Sequence, residues 1–242
     1  MSEDLQLRPL PRLVLGVTGG VAAVALLVQL ALVLSGQATL LPDGTPPPTW
    51  LALVRLVSYF TIQSNTLVAV GCLWLALGGR VPAGRAGRVL RWVRLASLMG
   101  ITLTGVVHWF LLRPLLDLDG ARALVDALLH IVVPLLAVLG WLLVGPRSQT
   151  SVPLAGAVLL WPVLWTVATL AVGLTTAWYP YPFLDVQRNG GGTVAVACLG
   201  ITVAFLVVLA LVVLVDRRLP APLEGVTPSA RSAAPPPARR RG

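Results

Sequence analysis

The chain has 242 residues, 57% of them hydrophobic and only 11% charged, with a mean hydropathy of +0.87. Soluble domains carry about 25% charged residues, so this composition excludes an ordinary soluble domain and points to a membrane protein. The net charge of +9 does not argue for nucleic acid. The basic residues, all arginine, gather at the edges of apolar runs and in the C-terminal tail, where membrane orientation explains them.

Taken in order, apolar runs cover Leu13–Leu34, Leu51–Leu77, Val93–Leu112, Ala123–Val144, Val152–Trp178 and Thr193–Val215. Each has about 20 residues or more, enough for roughly 30 Å of hydrocarbon at 1.5 Å per residue. The expected fold is therefore all-α, a polytopic membrane protein built as a bundle of six transmembrane helices. Residues 1–12 form a short N-terminal segment and residues 13–215 the membrane domain. Residues 216–242, rich in Pro, Ala and Arg, form a tail that cannot bury a core and is expected to be disordered. The first run is too long, and lacks a small-residue cleavage site, to read as a removable signal peptide. Gly16 and Gly20 within it form a small-xxx-small pair that suggests close helix packing.

Arginine placement predicts the orientation. Arg8 and Arg12, then Arg80, Arg85, Arg88, Arg91 and Arg94, then Arg147, and six more from Arg217 onward all fall on one side of a six-span chain. The other side has Arg113, Arg122 and Arg188. The positive-inside rule then sets both termini in the cytoplasm, in a multi-pass protein of the plasma membrane. Trp50, Trp109 and Trp178 mark the outer interface and Trp74, Trp92 and Trp141 the inner one, while Trp161 and Trp165 are mid-span and expected to pack between helices. Cys72 and Cys198 lie in apolar runs and spell neither a disulfide framework nor a metal site.

The second run carries an unusual polar load: Ser58, Tyr59, Thr61, Gln63, Ser64, Asn65 and Thr66. Each such group buried without a partner costs roughly 1–3 kcal/mol, so some must face other helices, a cavity or a ligand. On a continuous helix Ser58, Thr61 and Asn65 share one face. Arg55, at the start of the run, is expected to snorkel to the interface. In the third run His108 is expected to bond nearby backbone or Thr104. In the fourth, Asp126 and His130 are i, i+4 neighbours, so the carboxylate can hold the imidazole in one tautomer. Pro134 follows, and its ring should clash with the His130 carbonyl and bend the helix. The Tyr179-Pro-Tyr-Pro loop reads as a rigid turn.

Tyr-Phe-Thr-Ile-Gln-Ser-Asn (59–65), Leu-Leu-His-Ile-Val-Val-Pro (128–134) and Tyr-Pro-Tyr-Pro-Phe-Leu-Asp (179–185) together resemble the bacterial six-span Pr-six-Pr family membrane proteins. These are in turn distantly similar to the animal androgen-induced-gene and ADTRP proteins. The resemblance covers roughly residues 50–215. The animal family is described as membrane threonine hydrolases of lipid esters, and what it implies here is a nucleophile at Thr61, after Tyr59-Phe60, and a histidine at His130, ahead of Pro134. The animal Asn-His-x-x-His-Thr pattern is reduced here to Asp126-Ala-Leu-Leu-His130-Ile.

The function expected is lipid-ester hydrolysis in an outward-facing intramembrane pocket, with Thr61 as nucleophile and His130 as base. Asp126, Asn65, Ser58, His108, Arg55, Tyr181 and Asp185 are candidates for supporting or substrate-binding roles. No cofactor or metal is expected, and the partner is a membrane lipid or lipid-like small molecule. The alternative is a non-enzymatic protein, a small transporter, lipid-binding sensor or scaffold, although one Pro kink without an internal repeat is unlike the paired broken helices of transporters.

Overall fold

A computed structural model describes residues 5–37, 47–220 and 226–228. Its helices are α1 (Pro9–Leu34), α2 (Thr49–Ser58), α3 (Phe60–Gly78), α4 (Gly84–Val107), α5 (Gly120–Ala127), α6 (Val133–Val144), α7 (Val152–Thr176), α8 (Val186–Asn189) and α9 (Gly191–Arg218). A π turn at His108–Leu112 and a 3₁₀ turn extend α4, and a second π turn at Leu128–Val132 joins α5 to α6. Six helical segments are long and apolar enough to cross a membrane: Pro9–Leu34, Phe60–Gly78, Gly84–Leu115, Gly120–Val144, Val152–Thr176 and Gly191–Arg218. The chain is thus an all-α, multi-pass protein.

The second apolar run is not one helix, as its composition suggested, but α2 and α3 broken at Tyr59. The third and fourth spans begin earlier than hydropathy alone indicated, at Gly84 and Gly120, because helix continues into polar sequence that hydrophobicity cannot score. Three short strands, β1 (Leu5–Leu7), β2 (Arg80–Val81) and β3 (Val226–Pro228), form a small antiparallel sheet in the order β2-β1-β3. This brings residues 5–7 and 226–228 together at the α3–α4 connection, at one end of the bundle. The disorder expected of residues 216–242 falls mostly outside the described residues; within them α9 continues to Arg218 and β3 is paired.

The centre of the bundle is α3 and α4, packed against α1 and α6. Gly19 permits the close approach of α1 to α3, since a Cβ there would stand 2.8 Å from the Leu73 side chain and 3.1 Å from its backbone nitrogen. Gly16 meets α3 more loosely and Gly20 meets nothing, so the small-residue contact is displaced by one position from the expected pair. The helices α7 and α9 lean on α4 and leave most of their apolar surface uncovered, with Leu160, Val163, Val196 and Leu199 all exposed. Apolar surface on that scale suits lipid, not water.

Candidate functional site

The break at Tyr59 creates the site. Tyr59 is extended (φ −67°, ψ 127°), ending α2 and capping α3. The carbonyls this leaves without a helical donor are met by side chains. Gln63 Nε2 donates to Val57 O (3.0 Å) and Trp165 Nε1 to Ser58 O (2.8 Å), while Ser58 Oγ bonds back to Val54 O (2.7 Å) within α2. Trp161 Nε1 donates to Gln63 Oε1 at 2.9 Å and its indole stacks on Phe60, so both mid-span tryptophans do pack between helices and hold the break in shape.

Thr61 therefore sits in the first turn of α3, where backbone N–H groups have no intrahelical acceptor. The Thr61 N–H donates instead to the Tyr181 hydroxyl (3.2 Å), which also lies 3.3 Å from Thr61 Oγ1. On its other side Thr61 Oγ1 is 3.2 Å from His130 Nε2. A threonine inside a helix usually bonds the carbonyl four residues back. Here that carbonyl, Val57 O, is taken by Gln63, and the hydroxyl is left for the imidazole. Burial raises the phenol pKa of Tyr181 above its ordinary value, with hydrogen bonds from Thr61 and the Phe60 backbone opposing the shift in part, so the hydroxyl keeps its proton and can donate it.

His130 Nδ1 lies 2.9 Å from Asp126 Oδ1 and 3.0 Å from the Asp126 carbonyl. Both partners accept, so Nδ1 carries the ring proton and Nε2 is free to accept one from Thr61. His108 reaches the same carboxylate, with Nε2 3.4 Å from Asp126 Oδ2, and its ring stacks on His130 at 4.1 Å and 13°. The expected partnership of His108 with Thr104 does not form: Thr104 Oγ1 has no partner among the described residues. The two spans approach closely enough for this contact because position 105 is glycine, where a Cβ would stand 3.3 Å from Pro134.

Pro134 acts differently from the simple kink expected. The helix widens into a π turn, and Val133 N bonds Leu128 O. In that register the partner of the Leu129 carbonyl would be residue 134, which has no N–H. Asn65 Nδ2 supplies the missing donor at 3.2 Å and also bonds Thr61 O at 2.9 Å. Asn65 thus joins the helix of Thr61 to that of His130.

Thr61 and Tyr181 line a cavity of about 270 Å³ whose other walls are mostly apolar, among them Phe60, Leu103, Trp165 and Phe205. Its rim includes the exposed side chains Val163 and Val167 of α7 and Leu206 of α9, so it meets the apolar flank of the bundle. A second hollow, of about 890 Å³, lies at the loop end and shares Leu112 and Phe183 with the first; Arg55, Arg122 and Arg188 line it. His130 and Asp126 line neither space and approach Thr61 from behind.

Two candidates have other work. Ser58 belongs to α2 and is committed to Val54 O, away from Thr61, because the break takes it off the face it was expected to share with Thr61 and Asn65. Asp185 caps α8, accepting from the backbone nitrogens of Gln187 and Arg188 at 3.0 Å each. Arg55 stacks over Trp178 at 5.0 Å and faces the larger hollow. Tyr181 is the residue whose role the sequence understated; the prolines at 180 and 182, which hold it extended before a 3₁₀ turn, were the available signal.

Among the described residues, His108, Asp126 and His130 are the group whose donor atoms stand close enough to share a metal ion, within 4.8 Å of one another. The arrangement as a whole has the parts of a covalent hydrolase: a hydroxyl, an acceptor imidazole, a carboxylate behind it and a proton-bearing phenol beside it, at the wall of an apolar cavity. No protein-family model, curated protein or solved structure matches the chain, so this geometry is what the functional reading rests on.

Proposed function

We propose that the protein is a multi-pass membrane hydrolase that cleaves lipid esters through a covalent acyl-threonine. The observation that carries this reading is the position of Thr61 Oγ1 between His130 Nε2 (3.2 Å) and the Tyr181 hydroxyl (3.3 Å) at the wall of an apolar cavity. A threonine hydroxyl is a weak nucleophile and needs such a base.

In this reading an acyl chain enters the cavity from the apolar flank. Thr61 Oγ attacks the ester carbonyl while its proton passes to His130 Nε2, and Asp126 steadies the resulting imidazolium. The oxyanion takes the Tyr181 O–H, and the Thr61 N–H at the start of α3 adds a second donor and the positive end of the helix dipole. Collapse breaks the ester C–O bond, and His130 returns its proton to the leaving alcohol. Water then attacks the acyl-threonine, again giving a proton to His130, and releases the acid with Thr61 restored.

The arginine distribution supports cytoplasmic termini in a plasma membrane, which would turn the loop end, and the site beneath it, toward the outer leaflet. The resemblance of residues 59–65, 128–134 and 179–185 to the Pr-six-Pr proteins, and through them distantly to the androgen-induced-gene family of membrane threonine hydrolases, favours the same chemistry through the latter family. The test is ester hydrolysis by purified protein in detergent, using long-chain and short-chain chromogenic esters. Thr61→Ala and His130→Ala are each expected to lower kcat by about 10³-fold or more. Fluorophosphonate labelling that persists in Thr61→Ala excludes that residue as nucleophile.

A further inference from the structure

We propose that His108, Asp126 and His130 form a binding site for a divalent transition-metal ion such as zinc, and that filling it switches the hydrolytic site off. Two imidazoles and a carboxylate are a donor set zinc takes readily. With metal–ligand bonds of about 2.0–2.2 Å, donors around a tetrahedral ion stand roughly 3.4 Å apart. Here His130 Nδ1 and His108 Nε2 lie 2.9 and 3.4 Å from the two oxygens of Asp126, so the donor atoms already stand near that spacing. The two rings stack nearly parallel at 4.1 Å, and sharing an ion requires them to tilt apart until each ring plane contains it.

A second observation points the same way. His108 is 1% exposed, yet neither ring nitrogen has a hydrogen-bond partner among the described residues, despite the nearness of Asp126 to Nε2. A buried imidazole without partners is costly, and a metal on Nε2 would give it one. The Asp126 and His130 side chains keep 17% and 10% exposure, so the cluster is not fully enclosed. The π turns at His108–Leu112 and Leu128–Val132 fix both histidines on regular backbone.

The switch follows from the two nitrogens of His130. An ion on Nδ1 needs the lone pair of that nitrogen, so the single proton of the neutral ring moves from Nδ1 to Nε2. Nε2–H then donates to Thr61 Oγ1, as metal-bound histidines donate to an outer partner, and cannot accept the hydroxyl proton. This consequence, unlike the site itself, rests on the hydrolase reading.

Chelator-stripped protein in detergent is titrated with Co²⁺ and followed by visible absorption, alongside ester hydrolysis with and without Zn²⁺. One equivalent of Co²⁺ is expected with the intense bands of a four-coordinate site, weakened at least tenfold in His108→Gln and in Asp126→Asn and retained in Thr61→Ala. Zn²⁺ is expected to suppress hydrolysis at least tenfold, reversed by chelator. Absence of saturable Co²⁺ uptake by the wild-type protein, or uptake unchanged in both ligand variants, overturns the site whether or not the protein hydrolyses esters. Saturation with metal that leaves hydrolysis unchanged or raises it overturns the switch. A protein that hydrolyses nothing in any metal state overturns the switch together with the hydrolase reading, while the Co²⁺ titration still decides the site.

Discussion

Replacing Tyr181 with Phe removes one oxygen from the centre of the site and little else. The ring is 5% exposed and packs against Phe183 (5.3 Å between centroids), Tyr59 (5.6 Å) and Trp165 (5.9 Å), contacts that Phe can keep. What is lost is the acceptor for the Thr61 N–H and the donor beside Thr61 Oγ1. A buried N–H left unmet costs about 1–3 kcal/mol, so the variant should unfold at lower SDS fraction in mixed micelles. An oxyanion donor is worth about 10²–10³ in kcat, so hydrolysis of a chromogenic ester should fall by that factor with KM nearly unchanged, because the donor acts on charge that exists only in the transition state. A stability loss with kcat within threefold of wild type would refute the reasoning: the hydroxyl would then serve the helix start alone.

Asp126→Asn keeps the shape of the side chain but allows the wrong His130 tautomer, and kcat should drop about 10³- to 10⁴-fold at unchanged stability; a tenfold effect or less counts against Asp126 as the orienting group. Asn65→Leu strips the donor from both Thr61 O and Leu129 O, and should lower stability by roughly 2 kcal/mol in the same unfolding assay, with the π turn at 128–132 the region whose amide exchange quickens most. Gly100→Ala drives a methyl to 2.6 Å from Ser64 Oγ and 2.8 Å from the Trp161 ring, and should cost about 1–3 kcal/mol through overpacking; an unchanged unfolding midpoint would mean α3, α4 and α7 are packed less tightly there.

Hydropathy found the six spans because each must match the hydrocarbon thickness with one continuous or nearly continuous apolar segment, and that constraint is written residue by residue. It misjudged the second span for the same reason: Leu51–Leu77 is apolar enough on average, and the break at Tyr59 depends on Gln63 bonding Val57 O and on Trp165 and Trp161 of α7 reaching Ser58 O and the Gln63 side chain. The i, i+4 pair Asp126–His130 was legible because its contact is local. The approach of His108 was not, since it depends on Gly105 and on two spans widening into π turns. Ser58 was misread because a helical face extends only as far as the helix does.

Most of the polar load of residues 58–66 has a physical account, Ser64 excepted, whose buried hydroxyl has no partner among the described residues. Gln63 satisfies a carbonyl that the break exposes, Asn65 satisfies the one that Pro134 orphans, and Ser58 and Thr66 bond back to Val54 O and Ile62 O at 2.7 Å each. The hydroxyl left for the imidazole is Thr61, because its usual acceptor is occupied and its own N–H has been given to Tyr181. An unbroken helix would hide both groups in the i→i−4 ladder. The discontinuity exposes a hydroxyl, an N–H and a helix N-terminus at one point inside an apolar bundle, and it brings them within reach of an imidazole. A rearrangement that restored helix through Tyr59 would return Thr61 Oγ1 to Val57 O and disarm the site without touching any of its side chains.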